Sequence, residues 1–165
     1  MKRDLRLEIL DILEDDARTT PEEIALMLGA DTKAIEAEVN KLEEEKVIVK
    51  YAAIVNRQKL LHDDIVEALV EVNITPQRDY GYDDLARRIY KYDEVRSVNL
   101  MAGSYDLSVR LRARSMQEIS KFVFEKLAVI DGVTSTVTLF IMRKYKSAGV
   151  VLVEDESDER LVVSP

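Results

Sequence analysis

The chain has 165 residues, of which 47% are hydrophobic and 34% charged, a composition typical of a globular protein. It contains no cysteine, which excludes disulfides, thiolate metal sites and cysteine nucleophiles, and a single histidine argues against a histidine-based metal site. No apolar run reaches the roughly 20 residues of a membrane helix, and the N-terminus lacks the apolar core of a signal peptide, so we expect a cytoplasmic protein without membrane contact.

Three short helices are predicted in the first 46 residues. The first covers residues 4–15. The second begins at Thr20-Pro21-Glu22-Glu23, where Thr20 can form a capping box with Glu23, and it ends at Gly29. Asp31 or Thr32 can cap the third helix. The apolar spacing predicts these buried faces: Leu5, Ile9, Ile12 and Leu13; Ile24, Met27 and Leu28; and Ile35, Val39 and Leu42.

The stretch 47–55 is rich in β-branched residues and is expected to form a short hairpin or wing. Three helices followed by β structure describe a winged helix-turn-helix domain over residues 1–55, in which the third helix enters the major groove of DNA. A helical bundle without a nucleic-acid role is the alternative, and spacing alone leaves both open. Residues 56–64 are polar and aperiodic, and we interpret them as a linker.

The second half, residues 65–146, has the order β-α-β-β-α-β of an α+β, ferredoxin-like domain. Strands are predicted over 65–74, 95–100, 107–113 and 133–142, with helices beginning at Tyr82 and Met116. Two right-handed crossovers place both helices on one face of the sheet. The last strand carries Val133, Val137, Leu139 and Ile141 on one side and Phe140 and Met142 on the other, so the open face is expected to bind a second copy of the chain.

A short turn, Met101–Asp106, joins the second and third of these strands. Gly103 is expected to supply the backbone freedom that a tight connection needs. Residues 147–165 form a C-terminal extension. Its apolar segments Val150–Val153 and Leu161–Val163 allow an extra hairpin around an acidic turn, Glu154–Glu159.

The order and spacing of these features resemble the leucine-responsive regulator/AsnC family of transcription regulators, also called feast/famine regulators, over about residues 1–146. Three motifs carry the resemblance: Leu42-Glu43-Glu44-Glu45-Lys46-Val47-Ile48 at the end of the third helix; Gly103-Ser104-Tyr105-Asp106; and Gly132-Val133 followed by Thr136 and Thr138.

The resemblance implies a sequence-specific regulator that binds double-stranded DNA, forms homodimers through the second domain and assembles further to octamers. It also implies that an amino acid or similar metabolite binds near the glycine turn and the start of the last strand, and it implies no cofactor and no metal. Backbone N–H groups of the turn can receive a carboxylate, and Asp106 can receive an ammonium group. The alternative is that Gly103 and Asp106 only shape the turn. The implied effector-binding residues are Met101, Ala102, Gly103, Ser104, Tyr105, Asp106, Thr134, Ser135 and Thr136.

The third helix departs from the family pattern in its charge. Glu38 stands where the family usually has a base, and Lys46 where it usually has glycine. Residues 31–46 hold three lysines and six acids, and the net charge of the chain is −8. Because phosphate neutralisation supplies much of the affinity for DNA, a single copy is expected to bind weakly, with avidity compensating in an oligomer. The residues expected to reach DNA are Thr32, Lys33, Lys41, Lys50 and Arg57.

Two other functions compete with the regulator. The acidic third helix favours a ligand sensor or adaptor that has lost DNA binding. Proteins resembling this family also include tetrapyrrole decarboxylases, and the basic row Arg110, Arg112 and Arg114 suits such substrates. The only histidine, His62, lies in the predicted linker, which argues against catalysis. The leading interpretation is therefore a DNA-binding regulator that is not an enzyme.

Overall fold

The computed structural model describes residues 4–60, 64–75 and 81–153. The chain divides into two compact units, one ending at Val55 and the other beginning at Asn56. The features predicted at His62, Glu154–Glu159 and Leu161–Val163 lie outside the described residues. Among the described helices, none is both long enough and apolar enough to cross a membrane.

The first unit contains three helices: α1 (Leu5–Asp15), α2 (Pro21–Leu28) and α3 (Thr32–Glu44). The predicted capping box of α2 is confirmed, since Thr20 accepts from the Glu23 backbone and the Glu23 side chain accepts from the Thr20 N–H. Asp31, the first of the two candidate caps, accepts a hydrogen bond from the Ala34 N–H and begins α3.

The core of the first unit differs from the prediction in α2. Met27, expected inside, is 64% exposed, and Ala25 is buried in its place. The inward face of this short helix runs through positions 24, 25 and 28, which are as compatible with helical periodicity as the predicted set. The buried residues of the unit are Ile9, Leu13, Ile24, Ala25, Ile35 and Leu42.

The expected hairpin over 47–55 does not form, since no strand lies in this stretch. The nine residues contain no Gly, Pro, Asn or Asp, the residues that tight hairpin turns prefer, which disfavours a hairpin within this stretch. The stretch begins where α3 ends. Lys46 has a left-handed backbone (φ 59°), and the Val47 and Ile48 N–H groups both donate to the Leu42 carbonyl.

The second unit confirms the predicted ferredoxin-like fold. Its four-stranded antiparallel sheet has the order β2-β3-β1-β4. The buried core of this unit is formed by residues from the sheet and both helices. The elements are β1 (Val66–Ile74), α4 (Tyr82–Ile89), β2 (Val95–Leu100), β3 (Leu107–Ala113), α5 (Met116–Phe122), a π-helical turn (Val123–Leu127) and β4 (Val133–Phe140).

A bulge in β4 changes which side chains share a face. Asn73 pairs with Ser135, but the next β1 residue, Ile74, pairs with Val133, so Thr134 is the extra residue. Val133 therefore packs against the core on the helix side, and its predicted place beside Val137 and Leu139 was wrong. Val137 and Leu139 lie on the open face of the sheet, 49% and 45% exposed.

A short hairpin lies at the start of the C-terminal extension. β5 (Lys146–Ser147) pairs with β6 (Val150–Val151). Ala148 and Gly149 both have positive φ, which is the geometry of the two-residue turn that suits the twist of a hairpin. The predicted pairing of Val150–Val153 with Leu161–Val163 involves residues outside the described ranges and stays a prediction.

Gly132, which precedes β4, is the glycine on which this fold depends. Its φ is 94°, and a Cβ there would lie 3.2 Å from Leu85 Cδ1. Gly103 does not have a left-handed backbone, and a Cβ there would meet nothing within 4 Å. The expectation that Gly103 supplies backbone freedom to the turn was therefore wrong for this chain.

Gly132→Ala is expected to lower the free energy of unfolding by about 1–3 kcal/mol, because alanine is strained at this φ and would press on Leu85. Gly103→Ala is the matched control and should change it by less than about 0.5 kcal/mol. Urea denaturation of both variants measures the difference, and similar losses would contradict this assignment of the two glycines.

Candidate DNA interface and candidate effector site

The predicted DNA-binding residues divide between the two units. Lys33 and Lys41 are exposed on α3, Thr32 is half-buried at its start, and Lys50 is exposed in the stretch that follows. Arg57 lies in the second unit, in a 3-10 turn formed by Arg57–Lys59. The structure thus brings four of the five residues onto one unit and places the fifth on the other.

Arg6 of α1 neutralises part of the acidic charge of α3. Its Nη2 donates to Glu45 Oε2 at 2.5 Å, and its Nε lies 3.1 Å from Glu38 Oε1, at ion-pair distance but without hydrogen-bond alignment. The hydrogen bond from Arg6 lowers the pKa of Glu45, so this carboxylate stays ionised and paired at neutral pH. Glu38, the acid that departs from the family pattern, is therefore turned toward the partner helix α1.

A second acid of α3 is held by the stretch after the helix. The Tyr51 hydroxyl donates to Glu43 Oε1 at 2.8 Å. Burial and this hydrogen bond raise the pKa of Tyr51 to about 12, so it remains a donor at neutral pH. Arg6 and Tyr51 were missed by sequence reasoning, because helical spacing does not show which residue of a neighbouring element will reach a given carboxylate.

The predicted effector residues form two groups at the same end of the sheet. The turn between β2 and β3 is closed by the Met101 N–H, which donates to the Asp106 carbonyl at 2.8 Å. The other predicted group, Thr134–Thr136, lies at the start of β4. The end of β1 lies between the two groups, which are thus separated by two strand spacings, about 10 Å.

Asp106 holds the turn against β1. Its N–H donates to the Val72 carbonyl at 3.0 Å, and its Oδ2 accepts from the Ile74 N–H at 2.7 Å. The Tyr82 hydroxyl approaches Oδ1 at 3.5 Å. The carboxylate therefore satisfies a backbone donor at the end of a strand, as the turn-shaping alternative expects.

The polar side chains at the start of β4 are divided by the bulge. Asn73 Nδ2 donates to Ser135 Oγ at 3.0 Å, and Thr134 Oγ1 donates to the Asn73 carbonyl at 3.1 Å. Thr136 pairs with Val72, whose side chain lies in the core, so Thr136 faces the helix side instead. Asn73, which sequence reasoning did not include, links two of the three predicted residues.

The turn itself offers backbone donors. Ala102, Gly103 and Ser104 are exposed and Tyr105 is half-buried. No acceptor among the described residues receives a hydrogen bond from the N–H groups of 102–105. Consecutive exposed N–H groups are the usual protein site for a small anion such as a carboxylate.

Two residues of the basic row, Arg110 and Arg112, lie on the open face of β3, and Arg114 is exposed just after the strand. Arg112 Nη2 donates to Glu67 Oε1 at 2.8 Å, whereas Arg110 is exposed on the same open face of the sheet. In the described ranges, no group of three or more His, Asp and Glu side chains could hold a metal ion.

Two family models match the chain. Residues 67–151 match the Lrp/AsnC ligand binding domain, and residues 2–49 match a winged helix-turn-helix DNA-binding domain. The HTH-type transcriptional regulator YugG of Bacillus subtilis is 44% identical over 158 residues, which cover 96% of this chain and 95% of that protein. A regulator of Pyrococcus horikoshii, PH0140, is 30% identical over 79% of each chain.

Solved structures share the fold. A transcriptional regulator of Neisseria meningitidis, NMB0573, solved as a complex with L-Met, matches with a TM-score of 0.69 and 22% identity, covering 89% of this chain and 94% of its own. AsnC of E. coli matches with a TM-score of 0.66 and 23% identity, covering 89% and 96%.

Proposed function

The chain belongs to the Lrp/AsnC family of transcription regulators, and we propose that it binds DNA sequence-specifically as an oligomer whose second unit binds an amino acid or similar metabolite. The relatives that match across most of the chain are named as regulators, which favours this function over a decarboxylase. The ion pairs of Arg6 with Glu38 and Glu45, which offset part of the acidic charge of α3, favour it over an adaptor without DNA binding.

The DNA-binding proposal depends on how the charges of α3 are arranged. Of the six acids in 31–46, Asp31 caps the helix, Glu38 and Glu45 pair with Arg6, and Glu43 binds Tyr51. Among the described residues, Glu36 and Glu44 are exposed and their side chains form no hydrogen bond or ion pair, and Glu44 lies at the C-terminal end, away from the half that reads bases in helix-turn-helix proteins. The N-terminal half thus presents Lys33 beside two exposed acids, the cap Asp31 and Glu36.

Lys33→Glu is expected to weaken DNA binding about tenfold across sequences and to reduce the salt slope by about one. The upstream region of the chain's own gene is the first DNA to use, with affinity measured at two or more salt concentrations. Lys121→Glu on α5 is the matched control, since it makes the same charge change in the second unit. Equal effects of both variants, or no effect of Lys33→Glu, would reject α3 as the DNA-contacting helix.

We propose that the oligomer begins with a homodimer formed through the open face of the sheet. Leu69, Val137 and Leu139 lie together on this face, because Leu69 pairs with Leu139 across β1 and β4. Both helices of the unit are on the opposite face, so nothing in the second unit's helical layer covers these side chains. Burying these three side chains against a second copy removes their apolar area from water.

Leu139→Glu is expected to dissociate the oligomer, because it places a charge in the middle of the proposed contact. Phe124→Glu is the control, since Phe124 is 78% exposed but lies on α5's side of the sheet, in the π-helical turn. Sedimentation velocity distinguishes dimers from octamers and monomers. A wild-type monomer, or dissociation by Phe124→Glu instead, would refute the open-face dimer.

The proposed effector site is the turn 102–105 at the end of the sheet. Its unused N–H groups suit a carboxylate, and a Cβ at Gly103 would meet nothing within 4 Å, so the turn leaves open space for a ligand beside these groups. The regulator NMB0573, a structural neighbour, was solved with L-Met. With the Asp106 carboxylate held by β1, we assign recognition of the ligand's carboxylate to the turn itself.

Gly103→Ala is expected to weaken amino-acid binding at least about tenfold while leaving stability unchanged, because a methyl group would occupy the path to the turn N–H groups. Gly81→Ala, where a Cβ also meets nothing within 4 Å, is the control. Calorimetric titration with single amino acids, beginning with methionine and leucine, measures the effect. Binding that survives in Gly103→Ala would locate the effector elsewhere.

A further inference from the structure

The residues that follow β4 run back along the start of β1. We call residues 141–153 the strap. The Ile141 N–H donates to the Glu67 carbonyl at 2.9 Å, and Lys144 Nζ donates to Glu67 Oε2 at 2.6 Å. The Leu152 N–H donates to the Tyr145 carbonyl at 2.9 Å, which closes the β5–β6 hairpin into a compact unit.

Glu67 anchors the strap to the sheet. Its side chain is only 7% exposed and is shared between Lys144 and Arg112. Burial raises its pKa, but the hydrogen bonds from Lys144 and Arg112 outweigh this and lower it overall, so the anchor is ionised at neutral pH. Since a buried carboxylate is costly without its cations, Lys144 is held in place and the strap with it.

The strap also accepts hydrogen bonds from the residues that directly follow the first unit. Asn56 Nδ2 donates to the Leu152 carbonyl at 2.5 Å, and Gln58 Nε2 donates to the Lys144 carbonyl at 3.2 Å. Asn56 is the first residue after Val55, where the first unit ends. Two side-chain amides thus join the beginning of the linker to backbone carbonyls about 90 positions further along the chain, at both ends of the hairpin.

The same contacts keep the linker in a turn. The Asn56 side chain also accepts from the Gln58 N–H at 3.2 Å, and the Leu60 N–H donates to the Arg57 carbonyl at 3.0 Å. Leu152, whose carbonyl receives the Asn56 amide, is itself buried. The linker therefore enters the second unit at a defined place rather than as a flexible tether.

We propose that the strap clamps the linker at Asn56 and Gln58, and that this clamp determines which spacings between DNA half-sites the regulator accepts. The second part rests on the proposed function. A flexible tether allows two linked DNA-binding units to reach half-sites over a range of separations, whereas a clamped one restricts them to a narrow range. In dimeric helix-turn-helix proteins, the spacing of the DNA half-sites follows from the geometry with which the two DNA-binding units are joined.

The test uses the full chain with Asn56→Ala and Gln58→Ala combined, and Gln117→Ala on α5 as a control for loss of an exposed amide. The first readout is amide hydrogen exchange at Lys59 and Leu60, expected to accelerate about tenfold or more when the two hydrogen bonds to the strap are lost. Gln58 is left out of this readout, because Asn56→Ala also removes the side-chain acceptor of its own N–H. Unchanged exchange overturns the clamp, whatever happens on DNA. Thermal unfolding confirms that each variant is folded.

The second readout is affinity for paired half-sites whose separation increases one base pair at a time. The wild-type chain is expected to prefer a narrow set of separations, and the double variant to lose about tenfold in that preference while keeping its affinity for one half-site. Faster exchange with an unaltered spacing profile overturns the role in spacing. A wild-type chain that binds no DNA overturns the proposed function, and accelerated exchange would then still support the clamp itself.

Discussion

At the end of β1, the positions of the β2–β3 turn and of the start of β4 depend on three backbone groups of β1 and the residue after it. These groups form hydrogen bonds outside the regular strand pairing. The Val72 carbonyl receives the Asp106 N–H, the Ile74 N–H donates to the Asp106 carboxylate, and the Thr75 N–H donates to the Gly132 carbonyl. Buried backbone groups left unpaired are costly, so the turn on one side and the start of β4 on the other are both fixed by β1. As a result, the turn and the polar start of β4 lie at the same end of the sheet, on either side of β1.

In the first unit, a cation from a neighbouring helix offsets part of the acidic charge of α3. An acidic recognition helix repels phosphate, yet acids that face a neighbouring helix add little to the field at the DNA surface when a cation lies beside them. Arg6 supplies that cation for Glu38 and Glu45. Glu38 is half-buried, so it belongs to the packing surface between α1 and α3, whereas Lys33 is exposed on the surface that we propose contacts DNA.

Periodicity predicted the helices of both units and the four strands of the sheet, because apolar spacing reports directly which face is buried. It failed over residues 47–55, where β-branched composition predicted a hairpin and no strand forms, and at Met27, which is exposed. It also failed at Val133, because the extra residue Thr134 turns Val133 to the opposite face of the sheet. At the candidate site, the family motif located the turn and Asp106, but the roles of Asn73 and Arg6 depend on contacts between distant segments, which no local pattern records.

These features together suggest how such a regulator could respond to a metabolite. If each unit binds DNA weakly, as its acidic third helix leads us to expect, occupancy of DNA depends on how many units are joined and how freely they move, since avidity rises with effective concentration. The proposed effector turn lies in the unit proposed to oligomerise, and the strap that holds the linker is anchored on β1, the strand that also positions that turn. A ligand that favours one assembly would therefore change DNA occupancy without contacting α3, and its coupling energy would be limited to its difference in affinity between the two assemblies.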